Sequence, residues 1–207
     1  MQFEKMTSRI SRRRWVPGAA GPASGRKGGV FQQPANLFLV GFMASGKTSV
    51  GRALAARLGR RFVDTDGEVE RASGRRVAAI FGEAGEAGFR KLEAAAVKRA
   101  ARGRERVIAV GGGAPSRPGN VAVMRGSGVI VYLQAAFERL FERMERDGFR
   151  QRPLWKGRTR RRRFLAMRSL FEERRPLYVA VADVTVRGHP GSPEDVAERV
   201  HRRVASR

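Results

Sequence analysis

The sequence contains no cysteine. That absence excludes a disulfide framework and any thiolate metal site, so a metal would have to be held by oxygen or histidine, and it suits a reducing cytoplasm. Long apolar runs are missing too. None approaches the roughly 20 residues that a membrane span requires, and the N-terminal stretch lacks the apolar core of a secretory signal, so no membrane association and a cytoplasmic location are expected. Acidic residues are scarce, with 19 Asp and Glu against 43 Lys and Arg and a formal net charge of +24. Such an excess is the footprint of polyanion binding when it is clustered. Here only six of the basic residues are Lys, an arginine bias that a GC-rich genome produces by itself. The charge is also spread over the N-terminal segment, the runs around Arg75 and Arg102, and the four arginines at 160–163. Nucleic acid is therefore not an expected partner.

With 207 residues and 42% hydrophobic content, the chain suits one well-buried domain plus a tail. Residues 1–33 mix Arg, Ser, Gly and Pro with little apolar content and read as a disordered basic tail, either a solvated extension or an arginine-rich transit segment. From Leu37 onward, short apolar runs alternate with helical stretches. Strands are predicted at 37–40, 61–63, 107–110, 129–133 and 184–187, and helices at 47–58, 86–101, 135–146, 163–173 and 193–204. Five strands interleaved with helices imply a doubly wound, three-layer α/β/α sandwich around a parallel sheet, spanning residues 34–207.

Gly41-Phe42-Met43-Ala44-Ser45-Gly46-Lys47-Thr48 matches G-x-x-x-x-G-K-[ST] and follows a predicted strand directly. The two glycines let the backbone turn its N–H groups around phosphate oxygens, and the helix that begins there adds a favourable dipole. Lys47 is expected to reach the terminal phosphates of a nucleoside triphosphate, with the Thr48 hydroxyl on Mg2+ and Ala44, Ser45, Gly46 and Ser49 completing the cradle. A second acid is required near the metal. The apolar run at 107–110 ends not in Asp but in Gly111, Gly112 and Gly113, so the acid is sought in Phe62-Val63-Asp64-Thr65-Asp66. If the strand continues to its end, Asp64 and Asp66 point to the same side, toward the carboxyl edge where ligands bind. One carboxylate can then serve the metal and the other a substrate hydroxyl. The plainer alternative is that one of them caps a helix beginning near Gly67. The triple glycine allows a ligand to lie against bare backbone, or is an ordinary turn before Pro115.

Taken in order, the phosphate loop, Asp64-Thr65-Asp66, Gly85-Glu86-Ala87-Gly88-Phe89-Arg90 with Glu93, the glycine triplet, Arg152-Pro153-Leu154, and Arg174-Arg175-Pro176-Leu177-Tyr178 leading into Ala182-Asp183-Val184-Thr185 resemble the shikimate kinases. These belong to the nucleoside monophosphate kinase-like group of P-loop NTPases. The resemblance runs from about Asn36 to near the C-terminus. It implies transfer of the γ-phosphoryl of ATP to the 3-hydroxyl of shikimate, on the route to chorismate and the aromatic amino acids, by a monomer with one Mg2+. By matching motifs it implies that Arg90 and Arg174 clamp the shikimate carboxylate, Asp66 binds ring hydroxyls beside the attacking oxygen, and Asp64 supports the metal. Gly111, Gly112 and Gly113 would line the ring, with Phe81 and Phe89 as apolar walls.

The same resemblance makes residues 147–163, rich in Arg and without apolar periodicity, a mobile lid. Arg152 would swing over the triphosphate, and Arg143 would lie against the adenine. The chain departs from the family pattern in a connection about two residues longer near Gly148, in Trp155 where an aliphatic residue is expected, and in the basic block at 160–163. Considered singly, several of these residues have plainer readings. Arg90 can pair on its own helix with Glu86 or Glu93, Arg174 can be a solvated helix end, and Phe81 and Phe89 can be core. Related alternatives are a gluconate or nucleoside monophosphate kinase, disfavoured by two arginines suited to a carboxylate, and a non-catalytic regulator, disfavoured because every motif position is filled.

Overall fold

The computed structural model describes residues 36–147, 159–188 and 191–207. In chain order the elements are β1 (Asn36–Val40), α1 (Lys47–Leu58), β2 (Arg61–Asp64), α2 (Thr65–Ser73), α3 (Val77–Ala101), β3 (Arg106–Ala109), a short 3-10 turn (Ala114–Ser116), α4 (Pro118–Ser127), β4 (Val129–Gln134), α5 (Phe137–Arg146), α6 (Arg160–Val181), β5 (Val184–Arg187) and α7 (Pro193–Ala205). The strands form one sheet in the order β2-β3-β1-β4-β5, and all four pairings are parallel.

A parallel sheet must be covered on both faces, and the central strand shows how the sequence achieves it. All five residues of β1 are buried. Leu37 and Leu39 point one way, into a core shared with Val50 and Leu54 of α1 and Val196 and Val200 of α7. Phe38 and Val40 point the other way, against Val97 of α3, Met124 of α4, Leu140 of α5 and Phe171 of α6. The period-two alternation of a strand thus fills two separate cores, and the result is the expected α/β/α sandwich. Each such side chain contributes on the order of 1.5–3 kcal/mol through burial. A third, smaller cluster of Val69, Ile80, Phe89 and Ala96 joins α2 to α3 beyond the edge of the sheet.

Three local expectations are corrected. First, β2 ends at Asp64, whose carboxylate accepts from the Asp66 N–H and caps α2, so Asp66 lies in the first helical turn and not at an extended strand end. Second, the stretch before 86 is helical as well: α3 starts at Val77 and breaks at one non-helical residue, Gly85 at φ 64° and ψ −174°, so the helix expected at 86–101 is its second piece. The two helical pieces on either side of that glycine carry Ile80 and Phe89 into the same small core. Third, the basic block at 160–163 is the opening turn of α6 and not part of an irregular excursion. Thr159 caps that turn by accepting from the Arg162 N–H, and Arg160 pairs with Glu145 at 2.7 Å. Helix α6 then runs through Pro176 to Val181, because Met167, Phe171, Tyr178 and Val181 are buried along it and outweigh the lost N–H. Helices α2 and α4 were not predicted. Residues 148–158 of the expected lid, Arg152 and Trp155 among them, and the N-terminal tail lie outside the described residues.

Candidate active site

Beyond β1 the backbone turns at Gly41 (φ 151°), Ala44 (φ 59°) and Gly46 (φ 89°), and Gly46 becomes the left-handed N-cap of α1. A non-glycine residue at positive φ costs about 1–3 kcal/mol, so Ala44 marks strain held at this loop. Helix α1 has no acidic residue in its first turn and no side-chain cap, which leaves its positive end to the loop. Lys47 Nζ donates to the carbonyls of Gly41 at 2.9 Å and Phe42 at 2.8 Å, drawing its ammonium across the loop mouth. Ser45 is buried, and among the described residues its hydroxyl has no partner. An orphaned buried hydroxyl is costly unless a ligand meets it, and inside a ring of backbone N–H groups the fitting ligand is a phosphate oxygen.

Thr48, on the first turn of α1, donates through its hydroxyl to Asp64 Oδ2 at 2.9 Å, while Asp64 Oδ1 accepts from the Asp66 N–H at 3.1 Å. The hydroxyl and carboxylate that could serve a metal are therefore already in contact. Both are hard oxygen donors, and no group of three His, Cys, Asp or Glu residues that could hold a metal exists among the described residues. That combination fits Mg2+, which takes one or two protein oxygens and completes its shell with water and phosphate.

The glycine triplet is where the remaining candidates meet. Asp66 Oδ1 lies 2.8 Å from where a Cβ on Gly111 would sit, and the same hypothetical atom would collide with Glu93 Oε1. A Cβ on Gly112 would lie 3.8 Å from Arg174 Nη1 and 3.5 Å from the Gly41 carbonyl, linking the triplet to the phosphate loop. A Cβ on Gly113 would overlap the Arg90 guanidinium. Side chains therefore crowd Gly111 and Gly113, whereas a Cβ on Gly112 would make only ordinary contacts. All three carbonyls are engaged: Gly111 by the Ala114 N–H at 3.0 Å, Gly112 by the Tyr178 hydroxyl at 2.6 Å, and Gly113 by the Ser116 N–H and hydroxyl. Gly111 N–H donates to the fully buried Thr65 hydroxyl. The Gly112 and Gly113 N–H groups, by contrast, donate to no acceptor among the described residues.

Arg90 makes both pairings that helical spacing allows, with Glu86 at 2.9 Å and Glu93 at 2.8 Å, and still places its guanidinium against Gly113. The plain reading and the functional one therefore coexist, since the glutamates orient the cation. Glu93 is fully buried. Burial pushes its carboxyl above the ordinary range, opposed first by Arg90 and then by Arg174 and Arg117. For Arg90 the order is similar: burial works against its charge, but Glu93 and Glu86 more than offset that and hold its pKa above the usual value. Phe81 and Phe89 stack at 4.5 Å; Phe89 is part of the small α2–α3 core, and Phe81 packs against it. On the opposite side of the phosphate loop, Arg143 Nη1 donates to the Ala44 carbonyl at 3.1 Å. It lines a cavity of about 330 Å³ together with Ser49, Asp147, Gly188 and Pro193.

The structure thus brings Gly41, Ala44, Ser45, Gly46, Lys47, Thr48, Ser49 and Arg143 to one side, and Asp66, Arg90, the triplet and Arg174 to the other, with Asp64 between. The sequence motifs include Tyr178 and Thr65 but assign no role to them, nor to Arg117. The spacing of Tyr178, one helical turn after Arg174, was the available signal for the first of these.

A phosphate loop after the first strand of a five-stranded parallel sheet, with an acid at the end of β2 in contact with it, defines a P-loop kinase fold. The family model described as shikimate kinase matches residues 43–205. The chain belongs to the shikimate kinase family, whose members are ATP-using phosphotransferases. It is 45% identical to the shikimate kinase of Symbiobacterium thermophilum over 83% of this chain and 97% of that protein. Among solved structures, shikimate kinase from Acinetobacter baumannii in complex with shikimate superposes with a TM-score of 0.78 at 36% identity, covering 85% of this chain and 96% of that one. A gluconokinase from Sinorhizobium meliloti reaches a TM-score of 0.51 at 19% identity, over 84% of this chain and 93% of that one, a likeness of fold alone.

Proposed function

We propose that this chain transfers the γ-phosphoryl of ATP to the 3-hydroxyl of shikimate, giving shikimate 3-phosphate and ADP. The observation that carries the proposal is the convergence of Asp66, Arg90 and Arg174 on the glycine triplet, whose second member packs against the phosphate-loop carbonyl of Gly41. A small ring carrying a carboxylate and hydroxyls needs cations at one end, an acceptor for a hydroxyl at the other, and nothing bulky beneath it. The site has all three.

In this reading the phosphate-loop N–H groups and Lys47 hold the β- and γ-phosphates. Thr48 and Asp64 would hold Mg2+, which when bound supplies charge neutralisation at the phosphates. Asp66 accepts a hydrogen bond from the attacking hydroxyl and takes its proton as the oxygen bonds to phosphorus. Arg90 and Arg174 pair with the carboxylate, where a planar fork is better suited than an ammonium. Arg143 borders the base of the nucleotide in its cavity. Arg152 completes the proposal as the cation that closes over the triphosphate, and residues 34–207 as the catalytic unit, so deletion of residues 1–30 leaves kcat unchanged.

The test is ADP release from ATP and magnesium with shikimate, gluconate, quinate or nucleoside monophosphates as acceptor. Turnover with shikimate alone supports the proposal. Turnover with gluconate or a nucleotide in its place contradicts it.

A further inference from the structure

The hydroxyl of Tyr178 stands at a junction that the motif positions do not explain. It is carried on α6, one turn beyond Arg174, and the residue is 1% exposed. The hydroxyl donates to the Gly112 carbonyl at 2.6 Å, and it and Arg174 Nη1 both stand beside Gly112, 3.6 and 3.8 Å from where a Cβ on that glycine would sit. A phenol has one proton to give, so the bond to Gly112 commits it in one orientation and leaves the oxygen's lone pairs as acceptors next to the Arg174 guanidinium. Burial raises the Tyr178 pKa far above the ordinary phenol value, so the group remains a donor across the working pH range.

What the bond to Gly112 fixes is more than a carbonyl. The Gly112 C=O and the Gly113 N–H belong to one planar trans peptide and point in opposite directions. Holding the oxygen on the Tyr178 side therefore aims the Gly113 N–H to the other, and that N–H donates to no protein acceptor among the described residues. Without the tyrosine bond, a peptide between two glycines is the easiest in the chain to rotate, since neither residue has a Cβ to restrict φ and ψ. The Arg174 guanidinium stands on the same side of Gly112 as this hydroxyl.

We infer that Tyr178 is a positioning residue for the acceptor substrate: through its one hydroxyl it orients both the Gly113 N–H and the Arg174 guanidinium toward the bound anion. The inference rests on the shikimate reading of this site. Tyr178 itself touches neither substrate nor nucleotide in this account; it acts through the two donors it holds.

The experiment is Tyr178→Phe in the full chain, which keeps the buried ring and removes only the hydroxyl. Steady-state constants for shikimate and ATP are measured beside the melting temperature. The shikimate KM is expected to rise about tenfold, the scale of a hydrogen bond that involves a charged group, with the ATP KM unchanged and kcat within about threefold. A tyrosine that merely stabilised the fold would instead lower Tm and kcat together and leave both KM values as they were. Arg174→Gln and the double variant supply the second readout. If Tyr178 works through Arg174, the combined rise in KM is smaller than the product of the single rises.

An unchanged shikimate KM in Tyr178→Phe, or fully multiplicative effects in the double variant, overturns the inference. If the wild-type chain releases no ADP with shikimate, the functional reading falls and the inference falls with it. Wild-type turnover with an unaffected Phe variant removes the inference alone.

Discussion

Thr48 and Asp64 are joined by a 2.9 Å hydrogen bond that ties the first turn of α1 to the end of β2. They are 16 residues apart in sequence, and β2 lies beside β3, not beside β1. The contact is therefore made by the loop and the helix reaching across the sheet edge. It presents two hard oxygens beside the phosphate loop.

Asp64→Asn keeps the shape and removes the charge. The magnesium concentration for half-maximal turnover should rise by about 10- to 100-fold, the usual scale for losing a group that supports a metal, while the shikimate KM stays close to wild type. Magnesium titration at fixed substrate checks this, and an unshifted midpoint removes Asp64 from the metal.

Asp66 sits one residue into α2 with its carboxylate against Gly111. Asp66→Asn should lower kcat by at least about 10²-fold, the scale of a general base or positioning group, with ATP binding retained. Near-normal kcat would take Asp66 out of the chemistry.

Gly113→Ala tests Arg90 without touching it. The added methyl would overlap the guanidinium, which is the far end of a long side chain and can yield. Stability should change by less than about 1 kcal/mol while the shikimate KM rises by about tenfold or more, because a displaced fork cannot keep a bidentate pair. Arg90→Lys should be as poor, since a point charge does not replace the fork.

Glu93 gives the pH dependence its sign. Burial raises its pKa, so it takes up a proton at higher pH than an exposed glutamate and then no longer pairs with Arg90 as a carboxylate. As pH falls, kcat/KM for shikimate should therefore decline above the ordinary glutamate range near 4.5. Glu93→Gln should show a lower plateau and no such limb. A limb that survives in the Gln variant belongs to another group.

Much of this was legible in the sequence because the signals are local. A buried parallel strand reads as an apolar run, and the phosphate loop is contiguous. Where the reading failed, the determinants were not local. Asp64 and Asp66 look like a strand end until the cap on α2 is seen, and a cap depends on where the chain turns. The break at Gly85 is real, but the helical piece before it, from Val77, went unread, because what fixes it is Ile80 sharing a core with Phe89 beyond the break. The role of Tyr178 was hidden for the same reason: its partner Gly112 lies 66 residues away, and only the packing of α6 against the sheet brings them together.

The most direct measurement of the central claim is phosphorus NMR of a reaction containing the chain, ATP, magnesium and shikimate. The account predicts one new phosphate monoester, attached to the carbon that bears the 3-hydroxyl and formed in equal amount to ADP. ADP accompanied only by inorganic phosphate, or an ester at a different hydroxyl, would contradict it.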